Sequence, residues 1–204
     1  MVTQNSLFNI PAIEIKSTKN PKVNQNAPGF IYKADFITVE EETRLLKEFK
    51  KFRLNSYKYK GYNSKRRVKS FTRSFPAFLF PILERVAKFA KVRTETIRHA
   101  MITEYSPNTA IGWHRDQLPF DKIIGISFGA PCIFRLRKKV SSKNDNKWIR
   151  SNTLVLPRSI YIMSLESRWY WQHSIPKVED WRYSLTIRTV EKRSDDQKIV
   201  IEYS

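Results

Sequence analysis

The stretch Arg182-Tyr183-Ser184-Leu185-Thr186-Ile187-Arg188, RYSLTIR, alternates polar and apolar side chains. Successive side chains of a β-strand point to opposite faces, so the even-numbered polar residues share one face and the odd-numbered apolar residues the other. Two arginines and two hydroxyls on an inward face are costly unless they pair with an anion. The alternative is an edge strand whose polar face meets water.

Short apolar or alternating runs extend through the second half of the chain. They predict seven strands, near residues 98–105, 122–128, 131–137, 153–156, 159–165, 169–175 and 181–190. Apolar residues at helical spacing predict two earlier helices, at 39–52 behind an N-cap at Thr38 and at 76–91. This order predicts an α+β, mainly β, fold: an antiparallel sandwich or jelly roll with the N-terminal helices packed outside one sheet.

The chain of 204 residues, 41% of them apolar, fits one domain more easily than two. We expect a flexible, Asn- and Pro-rich arm over residues 1–28, a single domain over 29–194 and a tail over 195–204. The single cysteine, Cys132, excludes an internal disulfide and indicates a reducing compartment. No apolar run is long enough to span a membrane, so we expect a cytoplasmic protein without membrane association, and a monomer.

The charge balance is strongly basic. Thirty-eight Lys and Arg residues against nineteen Asp and Glu residues give a formal net charge of +19. A polyanion is the natural partner of such a chain, although a generally solvated basic surface gives the same count. Two stretches, Tyr57 to Arg73 and Arg135 to Lys147, interleave cations with aromatic residues. That mixture suits phosphate contacts beside base stacking.

The segment Gly112 to Gln117, GWHRDQ, begins like the catalytic loop of protein kinases. A kinase also needs a Gly-rich loop, an Asn where this chain has Asp121, and a later Asp-Phe-Gly, and the chain has none of them. His114 and Asp116 instead form a His-x-Asp pair that an extended backbone turns to one face. With His173 as a third ligand, they give the two-His, one-carboxylate set of non-haem Fe(II) oxygenases.

Four segments resemble the AlkB family of Fe(II)/2-oxoglutarate-dependent dioxygenases, which repair alkylated nucleic acids. They are EYSPNTAIGWHRDQ, IIGISFGAPCIFRLR, SIYIMSLESRWYWQHSIP and RYSLTIR, within residues 97–190. Together they contain the family's His-x-Asp, distal His and Arg-x-Ser-x-Thr-x-Arg in order, a combination far more specific than any one element. The resemblance implies a double-stranded β-helix, or jelly roll.

The resemblance also implies which residues hold the cofactors. His114, Asp116 and His173 would ligate Fe(II). Arg182 would pair with the distal carboxylate of 2-oxoglutarate, helped by the hydroxyl of Tyr105. These assignments rest on the positions of the residues within the family's motifs.

Further positions depart from the family's common pattern or have no part in it. Ser184, where many members have Asn, would still offer a hydroxyl to 2-oxoglutarate, and Arg188 would lie near the iron-proximal carboxylate and Asp116. Thr103 stands where some members have another Asn. His99 has no counterpart in the family, so we expect an ordinary strand residue there.

The chemistry implied by the resemblance is oxidative demethylation, or dealkylation, of N-alkylated bases, with Fe(II), 2-oxoglutarate and O2. We expect DNA as the substrate, either single-stranded or with the base flipped from a duplex. RNA, for example tRNA, remains open because no residue is seen to read a 2′-hydroxyl. Less favoured alternatives are a protein or small-molecule hydroxylase and a nucleic-acid-binding module without catalysis.

The substrate would be held by a basic lid near residues 57–75, in which the stretch KYKGYNSKRRVKSFTRSF (58–75) resembles the family's variable lid. The lid offers aromatic residues for the base and cations for its phosphates; the candidates are Tyr57, Tyr62, Lys65, Arg66 and Arg67.

Three other segments bear on the substrate site. Trp171 alternates with His173 and is a further candidate, although a strand Trp is more often core. Leu118 occupies the position where some repair enzymes carry an acid for the exocyclic amine of the base. Arg135 and Arg137 share one face of their strand, and either approach the site or lie on the outer surface.

Overall fold

The computed structural model describes residues 27–59, 62–72, 74–140 and 147–190, with only the backbone at 58, 59, 62 and 63. The predicted arm and tail therefore lie outside the described residues, apart from Ala27 and Pro28.

Two antiparallel sheets make up most of the described structure. The larger contains β1 (Phe30–Lys33), β2 (Asn55–Tyr59), β3 (Tyr62–Thr72), β4 (Ile97–Tyr105), β6 (Phe120–Gly129), β9 (Ile160–Met163) and β11 (Arg182–Val190), in the order β1-β9-β6-β11-β4-β3-β2. The smaller contains β5 (Ile111–His114), β7 (Cys132–Lys139), β8 (Trp148–Val155) and β10 (Gln172–Ile175), in the order β5-β10-β7-β8.

The described structure contains three α-helices, α1 (Val39–Phe49), α2 (Phe80–Ala90) and α3 (Leu165–Trp169). Local sequence signals mark where α1 and α2 begin. At the start of α1, Thr38 Oγ1 accepts from the Glu41 amide and the Glu41 carboxylate accepts from the Thr38 amide, which satisfies two free helix donors. Pro81 lies in the first turn of α2, where its missing N–H costs nothing.

Helices α1 and α2 pack on the outer face of the larger sheet. Phe49 of α1 is fully buried and meets Phe128 of β6 edge to face, with ring centroids 5.2 Å apart. Leu185 and Ile187 of β11 lie in the same cluster. Because a Phe→Ala change in a core costs about 3–5 kcal/mol, Phe49 alone contributes much of the helix attachment. The predicted placement of the helices outside one sheet is confirmed.

A second apolar cluster fills the space between the two sheets. Tyr105, Ile123 and Tyr161 come from the larger sheet, and Phe134 and Leu136 from the smaller. The polar, even-numbered face of β11 also points into this space, whereas its odd-numbered face points to the helices. RYSLTIR is therefore a central strand, between β4 and β6, and not an edge strand.

The predicted elements differ from the observed ones mainly at their ends. The helix predicted at 39–52 ends at Phe49, and the one predicted at 76–91 is a 3-10 turn over Ala77–Leu79 followed by α2. Residues 165 and 169, assigned to strands, belong to α3, and β1, β2, β3 and β5 were not predicted. In the described part of the chain, no helix combines the length and apolar character needed to cross a bilayer.

Candidate active site

Two strands of the smaller sheet bring the paired histidines together. His114 at the end of β5 is the direct register partner of His173 in β10, and their ring centroids are 4.1 Å apart. Asp116 follows β5, and its Oδ2 lies 3.4 Å from His173 Nε2. One ligand atom from each of the three residues lies within 4.8 Å of the others. Two imidazoles and a carboxylate this close can share one metal ion, and they are a donor set suited to Fe(II).

Arg188 orients the carboxylate of this group. Its Nε and Nη2 donate to Asp116 Oδ1 at 2.8 and 2.6 Å. Its Nη1 lies 2.9 Å from Nδ1 of His99, a buried residue of β4. His99 is thus the acceptor that completes the contacts of Arg188, a role that the sequence did not indicate. Its only sequence signal is an imidazole on the inward face of a strand.

A second arginine holds the backbone of the His-x-Asp loop. Arg168 of α3 is 3% exposed, and its guanidinium donates to the carbonyls of Asp116, Gln117 and Phe120 at 2.9 to 3.2 Å. One side chain thus donates to three carbonyls of the loop. No short motif predicts this contact, because it joins segments about fifty residues apart in the chain.

The charges of the group follow from burial and from its arginine neighbours. Burial lowers the pKa of His173 to about 3, with a further contribution from His114, and burial also lowers the pKa of His114. Burial alone would raise the pKa of Asp116, but Arg188 and the two histidines outweigh it and hold that pKa below its usual value. At neutral pH the set is two neutral imidazoles and one carboxylate, the protonation states that metal binding requires.

A buried cation occupies the other end of β11. Arg182 is fully buried, and none of its three side-chain nitrogens has a hydrogen-bond partner among the described residues. Its Cζ lies 4.8 Å from the centroid of the Tyr105 ring, its register partner on β4. The neighbouring register pair, Ser184 and Thr103, is also buried, and Thr103 Oγ1 likewise lacks a partner. An unpaired buried guanidinium is strongly unfavourable, so this pocket fits a carboxylate ligand.

Tyr161 of β9 lines the cavity that also contains His114, Asp116 and Arg188. Its ring lies across Gly125 of β6, where an added Cβ would be only 2.2 Å from the ring carbon Cζ. Gly125 is therefore required for the ring to lie on the inner face of the sheet. Burial raises the pKa of Tyr161, so its hydroxyl stays protonated. Tyr161 was not among the residues predicted from the sequence; a lone glycine inside a strand, Gly125, was the available signal.

The proposed lid is a hairpin of β2 and β3 at the edge of the larger sheet. Arg66 faces the cavity and lies over the Tyr57 ring, with Cζ 4.0 Å from the centroid. Arg67 points to the opposite face, where its Nε donates to Glu104 Oε1 at 2.7 Å. Lys65 is exposed and shares the face of Arg67 by strand alternation. The side chain of Tyr62 lies outside the described residues.

The two remaining candidates lie apart from the cavity wall. Trp171 is 4% exposed and packs in the cluster between the sheets, so the structure gives it the core position that is usual for a strand Trp. Leu118 is 75% exposed, at the tip of the loop that Arg168 holds. Neither Arg135 nor Arg137 reaches the cavity, because both lie on the outer face of the smaller sheet.

The chain is similar to known oxygenases along most of its length. The sequence profile of the 2OG-Fe(II) oxygenase superfamily matches residues 23–193. The Arabidopsis thaliana protein named Alkylated DNA repair protein ALKBH8 homolog is 29% identical over 204 residues, covering 81% of this chain and 59% of that protein. Uncharacterized protein L905 of Acanthamoeba polyphaga mimivirus is 24% identical over 172 residues, covering 74% of this chain and 75% of that protein. The chain thus spans less than two thirds of the length of the Arabidopsis relative.

Two solved structures share the fold. A Pseudomonas putida prolyl-4-hydroxylase superposes with a TM-score of 0.60 at 10% identity, covering 81% of this chain and 94% of that one. The structure titled OsALKBH1 superposes with a TM-score of 0.58 at 15% identity, covering 79% and 98%. The predicted jelly roll is confirmed.

The chain therefore belongs to the 2OG-Fe(II) oxygenase superfamily, whose members use Fe(II), 2-oxoglutarate and O2. The similarity to the Arabidopsis protein named as an ALKBH8 homolog is consistent with the resemblance of the motifs to the AlkB family.

Proposed function

We propose that this chain removes N-alkyl groups from bases of DNA by oxidation, acting on a single strand or on a base flipped from a duplex. One observation carries the proposal: a cation and an aromatic ring from the β2–β3 hairpin, Arg66 and Tyr57, stand beside the cavity that contains the metal-binding group. A phosphate and a base are the two parts of a nucleotide that such a pair can bind. The net charge of +19 supports a polyanionic substrate.

The cofactor assignments are part of the proposal. His114, Asp116 and His173 would hold Fe(II), because their ligand atoms lie within 4.8 Å of one another. Arg182 would pair with the distal carboxylate of 2-oxoglutarate, with Tyr105 and Ser184 beside it, because its unpartnered, buried guanidinium needs an anion. Together the bound metal and cosubstrate supply the oxidation of the alkyl carbon.

The work of the chain's own residues is positioning. Arg188 holds one oxygen of Asp116, and Arg168 holds the loop backbone, so the carboxylate keeps its orientation without a bound metal. The apolar cluster between the sheets would limit the access of water to the reacting carbon. Arg66 would contact a phosphate next to the bound base, and Tyr57 would stack near it. Leu118 offers no acceptor to an exocyclic amine.

The domain organisation supports the same proposal. We infer a single catalytic domain over residues 29–194, in which the segment near 57–75 is a substrate lid built on the β2–β3 hairpin. The hairpin is attached to the sheet through β4, and on its outward face Arg67 pairs with Glu104. The inward face is left to contact the substrate.

The test is base-dependent turnover by the full chain with Fe(II), ascorbate and 2-oxoglutarate. Single- and double-stranded DNA oligonucleotides carrying 1-methyladenine, 3-methylcytosine or an etheno adduct would be analysed by mass spectrometry, with RNA of the same sequences alongside. We expect a loss of the alkyl mass, with formaldehyde released from the methylated bases and one succinate per dealkylation. His114→Ala should abolish the loss while leaving oligonucleotide binding intact, because phosphate contacts dominate affinity.

Succinate formation that no oligonucleotide stimulates would overturn the proposal in favour of a protein or small-molecule hydroxylase. If only the RNA oligonucleotides are dealkylated, the substrate is RNA and the proposed reaction is unchanged.

A further inference from the structure

The smaller sheet has an outer face that the active site does not use. His114, His173 and Phe134 point inward, so their strand neighbours point outward. Register pairs place Arg137 beside Gln172 on one side and Arg150 on the other, and Lys139 beside Trp148. We call this outer surface the tryptophan face, and it comprises Trp113, Arg135, Arg137, Trp148 and Arg150.

Two indole rings on the tryptophan face are held by guanidinium groups. Arg137 Cζ lies 4.3 Å from the centroid of the Trp113 ring and 4.2 Å from that of Trp148. Arg135 Cζ lies 5.0 Å from the Trp113 ring. Hydrogen bonds from Arg137 Nε to Gln172 at 2.8 Å and from Arg135 Nε to Ser174 at 3.0 Å fix both arginines to β10. The rings are therefore positioned on the sheet by cation–π contacts.

The tryptophan face is cationic throughout. The four strands that form it, IGWH, CIFRLRKK, WIRSNTLV and QHSI, contain no Asp or Glu, and four of their five Lys or Arg residues lie on this face: Arg135, Arg137, Lys139 and Arg150. The fifth, Lys138, alternates to the other face and pairs with Glu166. Partial burial, together with the charges of Arg150 and Arg135, lowers the pKa of Arg137. Guanidinium groups this close repel one another, and a bound polyanion would relieve the repulsion.

We propose that the tryptophan face binds an extended single strand of nucleic acid, with bases on Trp113 and Trp148 and phosphates on the surrounding arginines. The inference rests on the proposed function, because it extends the substrate beyond the nucleotide in the cavity. Rings alternating with cations match alternating bases and phosphates, whereas an acidic peptide would use the cations alone. A duplex keeps its bases stacked, so only an unpaired strand can use the rings.

The position of the tryptophan face lets one strand reach both sites. Trp113 directly precedes His114 in β5, and β5 is the edge strand of its sheet. A strand lying across the sheet would turn around this edge to place one base in the cavity. Arg115, which is exposed just beyond β5, lies on that route.

The test measures binding of the full-length protein to an unmodified, fluorescently labelled fifteen-nucleotide DNA single strand by anisotropy, so that it does not depend on catalysis. The variants are Trp148→Ala, which removes one ring, and Arg150→Glu, which reverses an exposed charge. We expect each to weaken binding about tenfold, and Arg150→Glu also to flatten the salt dependence. The matched control is Arg44→Glu, the same charge change on the exposed face of α1, which packs on the other sheet; its affinity should match that of the unchanged protein.

A second measurement separates this inference from the proposed function. Both variants should dealkylate an alkylated trinucleotide at the unchanged rate and show a raised KM only for the fifteen-nucleotide substrate. Unchanged affinity for the long strand in both variants would overturn the inference and leave the proposed function standing. The same result is expected if this face binds an acidic protein and not a nucleic acid. Weakened binding in both variants without any dealkylation by the unchanged protein would support the tryptophan face and reject the proposed chemistry.

Discussion

Arg188 directs both of its contacts with Asp116 to one oxygen, Oδ1, through Nε at 2.8 Å and Nη2 at 2.6 Å. The other oxygen, Oδ2, faces His173 Nε2 at 3.4 Å. The two carboxylate oxygens thus have different roles: Oδ1 is held by the guanidinium, and Oδ2 is turned toward His173. Arg188 therefore acts as a positioning residue for the metal-binding group.

Arg188→Gln should lower metal affinity by about 10- to 100-fold, which is the usual effect of losing the partner of a metal ligand. Isothermal titration with Mn²⁺ in place of Fe(II) would measure it without turnover. Arg158→Gln, at a partly buried ion pair with Glu42 away from the cavity, is the matched control and should bind Mn²⁺ normally. Equal Mn²⁺ affinity in the two variants would show that Arg188 does not position Asp116.

His99→Leu should lower Mn²⁺ affinity by a smaller factor than Arg188→Gln, because it removes only the acceptor at 2.9 Å from Arg188 Nη1. Burial lowers the pKa of His99 to about 4, so the neutral ring can accept this bond at pH 7. His99→Asn restores an acceptor and should recover part of the affinity. If the Leu and Asn variants bind equally, the contact contributes nothing and His99 is only a packing residue.

Arg182→Met should abolish stabilisation by 2-oxoglutarate without destabilising the ligand-free protein. Its guanidinium is buried and has no hydrogen-bond partner among the described residues, so its removal relieves an unfavourable burial. At 100 times its Kd, the cosubstrate should raise the free energy of unfolding of the unchanged protein by about 2.7 kcal/mol. Thermal unfolding with and without 2-oxoglutarate measures both quantities. A large loss of stability in the ligand-free variant would contradict this account.

Arg168→Leu should loosen the loop that carries Asp116. The change leaves three carbonyls without their donor, which should cost about 2–4 kcal/mol of stability. Hydrogen exchange of residues 115–120 should rise more than exchange elsewhere, and Arg168→Lys should restore part of the protection. Uniform exchange across the chain would mean that Arg168 stabilises the whole fold and has no local effect on the loop.

The pair of Glu41 and Arg85 should make the fold sensitive to acid. The hydrogen bond from Arg85 lowers the pKa of Glu41 from 4.5 to about 2. Because the folded pKa lies below the unfolded one, the stabilisation is present above about pH 4.5 and is lost as the pH falls toward 2. Arg85 is 40% exposed, so solvent reduces the effect to about 1–2 kcal/mol at pH 7.

Glu41→Gln measures this contribution by urea unfolding at pH 7, 5 and 3. Its difference from the unchanged protein should be constant at the two higher values and smaller at pH 3. A difference that does not change with pH would refute the ion-pair explanation and leave only the helix cap.

Much of the fold was predictable because burial imposes a period on the sequence. The alternation of β11 predicted which of its residues face the cavity, and the capping residues predicted where α1 begins. The strands of the β2–β3 hairpin were not predicted because both of their faces carry cations, so polar and apolar residues do not alternate. Arg66 lines the cavity, whereas Arg67 on the other face pairs with Glu104. A run of like charges does not show which of its members face inward.

The metal-binding group was predictable from motif order, but its supports were not. His99, Arg168 and Tyr161 act through contacts between segments far apart in the chain, and no short motif encodes such contacts. Trp171 was proposed for the substrate from its alternation with His173, and it does lie between the sheets, but it packs in the core and does not line the cavity.

One strand, β11, carries the apolar surface that binds the helices on one side and the two inward-facing arginines, Arg182 and Arg188, on the other. Inserting or deleting a single residue between Arg182 and Arg188 would exchange these sides over part of the strand, placing leucine and isoleucine in the cavity and guanidinium groups against the helices. The packing of the helices on β11 and the chemistry of the cavity would be lost together. The length of this segment is therefore constrained as strictly as the identity of its two arginines.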